Sequence, residues 1–136
     1  MRGVAWLRLA LVLVGLGISA YLTAVHYHGA PLYCRTHGIV DCEQVVTSPE
    51  SVVLGLPLAL WGVVWFVLAG VLAWPREPWE ERVRSWRRLW AAVGALAVVY
   101  FVYLEFVVIG HVCLWCSAVH LIVLVLLALE VAPAAA

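Results

Sequence analysis

The chain has 136 residues, 66% of them hydrophobic and 12% charged, with a mean hydropathy of +1.05. That balance excludes an ordinary soluble globular domain, and a formal net charge of zero offers no electrostatic footprint for nucleic acid. One domain over 1–136 is expected, most of it membrane span.

From about Val4 to Val25 the sequence is almost continuously apolar, long enough to cross a hydrocarbon core of roughly 30 Å at 1.5 Å per residue. A cleaved signal peptide is the rival reading, but the run is long for a signal h-region, so a retained span is expected. Arg8, one or two turns in, is expected to snorkel to the interface. Residues 26–51 then form a polar interruption punctuated by Gly29, Pro31, Gly38 and Pro49, which rules out one long helix. Asp41 to Val46 suggests a short helical piece, and Ser48-Pro49 the cap and first position of another. At about 25 residues, this connection is longer than a passive link needs, and such loops usually carry function.

A second span is expected from about Val52 to Trp74, with Pro57 marking a kink or its real start. Trp61, Trp65 and Trp74 add ring area there; Trp74 suits an interface anchor, and the other two lie deeper. Pro75 to Arg88 carries five arginines and three glutamates and reads as a short amphipathic surface connection. A third span follows over about 89–109, containing Glu105, and a fourth over about 113–131, before a short Pro-Ala tail. The expected fold class is therefore all-α integral membrane: a four-transmembrane-helix bundle with a long outer loop bearing short helices.

Arginine counts orient it. Arg2 and Arg8 precede or enter the first span and five arginines fill the second connection, whereas the first loop has only Arg35, and the turn around Gly110 has none. Both termini and the arginine-rich connection are thus expected in the cytoplasm, with the long loop and the third turn outside. All four cysteines, Cys34, Cys42, Cys113 and Cys116, then share the oxidising compartment.

Cys113-Leu114-Trp115-Cys116 opens the last apolar run, and a helix N-terminus favours a thiolate. One pair on a loop and one at a helix mouth suit thiol–disulfide exchange in relay, electrons passing from the loop to the membrane-level pair and then to a lipid-soluble acceptor. A zinc site using these cysteines with His26, His28 or His37 has unfamiliar spacings, so no metal is expected. Two purely structural disulfides in a non-catalytic tetraspan protein remain the alternative from another class.

Cys34 and Cys42 with seven residues between them, Ser48, the Gly55–Gly62 stretch GLPLALWG, and Cys113-Leu-Trp-Cys116, in that order, resemble the vitamin K epoxide reductase family, its bacterial members most closely. The resemblance covers nearly the whole chain. It implies a four-helix bundle around a quinone, with Cys113 and Cys116 as the redox centre and Cys116 facing the quinone ring. It also implies that Cys34 and Cys42 shuttle electrons from a thioredoxin-like protein, Cys42 attacking Cys113, with Ser48 supporting the loop. Such bacterial proteins reoxidise the periplasmic partner that puts disulfides into exported proteins, which implies the inner membrane as location. Many carry a fused thioredoxin-like domain after the fourth helix; this chain stops, so a separate partner is expected. Where the animal enzymes have an asparagine in the second helix this chain has Leu58, and where they have a tyrosine four residues after the second active-site cysteine it has His120. These departures favour a plain quinone, ubiquinone or menaquinone, over vitamin K epoxide, which stays as the alternative substrate. His120, on the same helix face as Cys116, is a candidate to bond a quinone oxygen, or else pairs with Glu105. Trp61, Trp65 and Trp115 are candidates for the ring pocket, and His111 for support of a thiolate.

Overall fold

In the computed structural model, which describes residues 2–29, 31–34 and 38–132, the apolar runs are helices. Arg35, His37 and the final Pro-Ala residues lie outside the described residues. Helix α1 spans Arg2–His28, α2 Cys42–Val46, α3 Leu58–Leu72, α4 Trp79–Arg82, α5 Arg84–Tyr103 and α6 Leu114–Val131. A 3-10 turn, Pro49–Ser51, follows α2, with Ser48 at its N-cap. α5 runs on into a π-helical segment, Leu104–Ile109, which stops at Gly110 in the left-handed region (φ 76°). That conformation disfavours a side chain, so glycine lets the chain turn sharply into α6.

Three helical stretches are long and apolar enough to cross a membrane: Arg2–His28, Arg84–Ile109 and Leu114–Val131. Their outward faces stay apolar, with Leu96 73%, Val107 66% and Leu121 63% exposed, as expected of surfaces that meet lipid. α3 is apolar throughout but only 15 residues long, about 22 Å at 1.5 Å per residue.

The second apolar run therefore does not form helix from Val52. Instead Val52–Val53 (β1) pairs antiparallel with Leu56–Pro57 (β2), Val52 opposite Pro57 and Val53 opposite Leu56. Leu54 (φ 55°) and Gly55 (φ 78°) turn the hairpin, consecutive positive φ values being the arrangement that matches strand twist in a two-residue turn. Pro57, extended at φ −65° and ψ 146°, is the N-cap of α3, so of the two roles expected for it the real start is the one it takes. Trp61 Nε1 donates to Val53 O (3.0 Å), fastening the hairpin to the first turn of α3.

α1 packs against α3 and α6, and α5 against α6. Val12, Phe66, Ala69, Val98, Val123 and Leu126 form the central core. Gly15 leaves room for the Phe66 ring, which would overlap a β-carbon there. Trp65 and Trp90 stack at 6.1 Å, and each indole N–H donates to the other's carbonyl (3.3 and 3.0 Å).

The charged connection is not confined to the surface, and the third helix starts at Arg84 rather than near Leu89. Arg87 is buried; its Nε donates to Glu130 Oε1 (2.9 Å) and its Nη1 to Glu80 O (2.9 Å). Arg8 Nε lies 2.7 Å from the same Glu130 oxygen, and Arg8 Nη1 3.6 Å from Glu80 Oε1. Arg8 therefore does not snorkel outward: a buried carboxylate on the last turn of α6 draws it inward, tying α1, α5 and α6 together. Glu130→Ala would strand the buried Arg87 guanidinium and remove the partner of the half-buried Arg8, at a cost of about 3–5 kcal/mol. Thermal unfolding in detergent should show it as a clearly lowered Tm, and an unchanged Tm would mean that the cluster is not holding the bundle.

Candidate active site

The loop between α1 and α3 is fixed to the start of α6 by backbone pairing. Val40 forms a parallel bridge with Val112: Asp41 N donates to Val112 O (2.9 Å) and Val112 N to Ile39 O (2.8 Å). Asp41 then caps α2, its Oδ1 accepting from Gln44 N (3.2 Å). An extended residue that caps the next helix thus sets Cys42, the first residue of α2, against the mouth of α6.

Cys42 and Cys113 are both fully buried in one cluster with Leu22, Val25, Val45 and Val46, and Cys34 and Cys116 pack on its edge. Cys34 and Cys42 are joined by a disulfide with their Cα atoms 6.1 Å apart. Cys42 Sγ also accepts from Leu114 N (3.3 Å), the amide next to Cys113. Cys113 and Cys116 are free thiols. Cys113 is the N-cap of α6, its Sγ accepting from Cys116 N (3.1 Å). The hydrogen bond from the Cys116 thiol, with help from backbone N–H groups, holds Cys113 below the ordinary thiol range despite its burial.

Glu105 lies in the π-helical segment, a local widening often found where a side chain must be aimed at a site. Its Oε2 accepts from Cys113 N (3.1 Å), so a buried carboxylate satisfies the amide of the first cysteine of the CxxC. Its Oε1 lies 3.9 Å from His120 Nδ1. His120 itself sits one turn beyond Cys116, against the Phe101 ring at 6.0 Å.

Between α1, α3, α5 and α6, under the loop, is a cavity of about 100 Å³. Cys116, His120 and Glu105 line it, with Leu22, Leu58 and Phe101 among its apolar walls. The structure thus brings His120 and Leu58 to one cavity with Cys116. It does not bring Trp61, Trp65 or Ser48 there. Trp61 holds the hairpin and Trp65 stacks on Trp90. Ser48 donates to Val45 O (2.9 Å) and accepts from Ser51 Oγ (2.6 Å), so Ser51 lies between it and the cavity. Trp115 covers the Cys34 side, its Nε1 donating to Tyr33 O (2.8 Å), and His111 Nδ1 faces Ile109 O (3.3 Å) rather than a thiol. His26 and Ser19 also reach the cavity, and neither stood out in the sequence for that role. The sequence signal for Glu105 was a lone carboxyl eight residues before Cys113 inside an apolar run; its bond to that cysteine was not readable from spacing.

A helical membrane protein with a loop disulfide abutting a helix-mouth dithiol, and that dithiol lining an apolar cavity, defines a class of thiol–disulfide exchange proteins. The chain matches the family model of the Vitamin K epoxide reductase family over residues 6–131, and it belongs to that family. No curated protein matches it. Membership makes it a membrane oxidoreductase of the thiol–disulfide type, and four cysteines capable of that chemistry are present.

Proposed function

We propose that this protein passes electrons from a separate thioredoxin-like protein through Cys34 and Cys42 to Cys113 and Cys116, and from there to a quinone. It would do so as a four-span inner-membrane protein with the cysteines on the periplasmic side and both termini in the cytoplasm, supporting disulfide formation in exported proteins. The observation that carries the reading is the unbroken order of the sulfurs. Cys42 sits against the Cys113–Leu114 backbone, Cys113 Sγ accepts a hydrogen bond from Cys116 N, and Cys116 lines the cavity.

The exchange balances step by step. A thiolate of the reduced donor attacks the Cys34–Cys42 disulfide and leaves it as a dithiol while the donor becomes oxidised. The Cys42 thiolate attacks Cys113 Sγ in a Cys113–Cys116 disulfide, forming a Cys42–Cys113 bond and releasing the Cys116 thiolate. Cys34 then attacks Cys42, restoring the loop disulfide and leaving Cys113 and Cys116 reduced.

The cavity residues fit a quinone head group. Most of the wall is apolar, a sulfur is present, and Glu105, His120, His26, Ser19 and Ser51 supply polar groups; an engineered apolar cavity of about 150 Å³ binds benzene, the same order of size. When bound, a quinone supplies the two-electron acceptor chemistry, and the protein supplies position and a dry surrounding. Leu58 on the wall offers no hydrogen bond, which supports a plain quinone over an epoxide. With a reduced thioredoxin-like donor, the purified protein in detergent should bleach ubiquinone or menaquinone and leave vitamin K epoxide untouched. Turnover on the epoxide alone would replace this reading with the epoxide reductase one, and no turnover on either would favour structural disulfides.

A further inference from the structure

Oxidising a dithiol and reducing a quinone moves two protons as well as two electrons, so the buried site must hold and release protons. We infer that Glu105 carries one of them: it is the group that is protonated while Cys113 and Cys116 are reduced and gives its proton up as they are oxidised. The inference rests on the proposed reading of Cys113 and Cys116 as donors to a quinone.

Three geometric facts carry it. Glu105 is 4% exposed and lines the same cavity as Cys116 and His120. One of its oxygens is bonded to the Cys113 amide at 3.1 Å, so its charge is coupled directly to the redox pair. The other faces His120 Nδ1 at 3.9 Å, and both side chains line the one cavity. No arginine lines the cavity among the described residues. Arg8 sits 18 positions before His26 on α1, about 27 Å along the helix, so the Arg8–Arg87–Glu130–Glu80 cluster does not neutralise the site. The other titratable groups facing Glu105 are Cys116, His120 and His26, and His26 Nδ1 is already engaged with Val46 O (3.2 Å). The Ser19 and Ser51 hydroxyls reach the same space, and Ser51 Oγ is held by Val46 O at 2.9 Å.

The balance follows. The reduced site holds a Cys113 thiolate, the Cys116 S–H and a protonated Glu105. Oxidation forms the Cys113–Cys116 bond and sends two electrons to the quinone. The S–H proton and the Glu105 proton go to its two oxygens, the latter by way of His120, and Glu105 is left a carboxylate. The site carries one negative charge before and after, which avoids adding charge to a low-dielectric interior.

The test is a reduced-minus-oxidised infrared difference spectrum of the full-length protein, reduced with dithiothreitol in the absence of quinone. The native chain should gain a protonated-carboxyl C=O band on reduction. Glu105→Gln, which keeps an oxygen for the Cys113 amide, should lack it, and Glu105→Asp should shift it. In parallel, Glu105→Gln should slow the quinone half-reaction ~100-fold, the scale of a lost general acid, with a much smaller effect on reduction of Cys113–Cys116 by the loop pair. Absence of a carboxyl band in the native protein, a band that persists in Glu105→Gln, or equal slowing of both half-reactions would overturn the inference. Failure of the native protein to reduce any quinone would instead sink the functional reading, and the infrared result would still decide where the proton resides.

Discussion

Replacing Cys116 with alanine is expected to end quinone reduction, lowering turnover by ~1,000-fold or more, with the fold intact. Of the four cysteines, Cys116 is the one lining the cavity. Cys113 is completely buried behind it, its sulfur occupied by the Cys116 amide, and Cys42 is farther back against Leu114 N. Without Cys116, electrons that reach Cys113 have no sulfur in contact with the acceptor, and the inner disulfide cannot form at all. The side chain is small and partly exposed, so its truncation leaves little cavity. Anaerobic bleaching of a soluble quinone by the reduced variant measures the loss directly. A variant retaining a tenth or more of native turnover would mean that Cys113 alone, or another route, serves the acceptor.

The second large effect is expected at Cys42, and its size depends on the electron donor. With a thioredoxin-like protein as reductant, Cys42→Ser should fall ~100-fold or more, because the inner pair is reached only through the loop disulfide. With dithiothreitol, turnover should persist, since a small dithiol can enter by the cavity and attack at Cys116. Serine is the better replacement because Cys42 Sγ accepts the Leu114 amide at 3.3 Å in a buried position. Alanine would leave that N–H unsatisfied at about 1–3 kcal/mol, mixing a stability loss into the readout. Equal loss with both donors would show that Cys42 supports the site mechanically rather than relaying electrons.

Much of the fold was legible in the sequence because lipid-facing helices advertise themselves by uninterrupted hydropathy. The runs that became α1, α5 and α6 are visible by eye, and the short helix after Asp41, the cap at Ser48 and the turn at Gly110 are legible in the same way, with Asp41 itself capping rather than joining its helix. The residues that misled did so through partners far away in sequence. Arg8 and Arg87 look like interface charges until Glu130, more than forty positions beyond Arg87, draws both inward. Val52 to Pro57 is as apolar as the helix after it, and only the positive φ of Leu54 and Gly55 separates hairpin from span. Trp65 is well placed on sequence grounds for a ring pocket, yet Trp90 on α5 claims it. At the site, the CxxC signature marked both thiols of α6, whereas Glu105's bond to the Cys113 amide depends on the π-helical widening, which no residue pattern signals.

The central claim, that the loop pair hands electrons to the inner pair by way of Cys42 and Cys113, is tested most directly by the double variant Cys34→Ala/Cys116→Ala. With both outer partners removed, mild oxidation followed by peptide mapping should recover a Cys42–Cys113 disulfide as the main species. Two free thiols at Cys42 and Cys113 under the same conditions, both open to alkylation after unfolding, would contradict the relay.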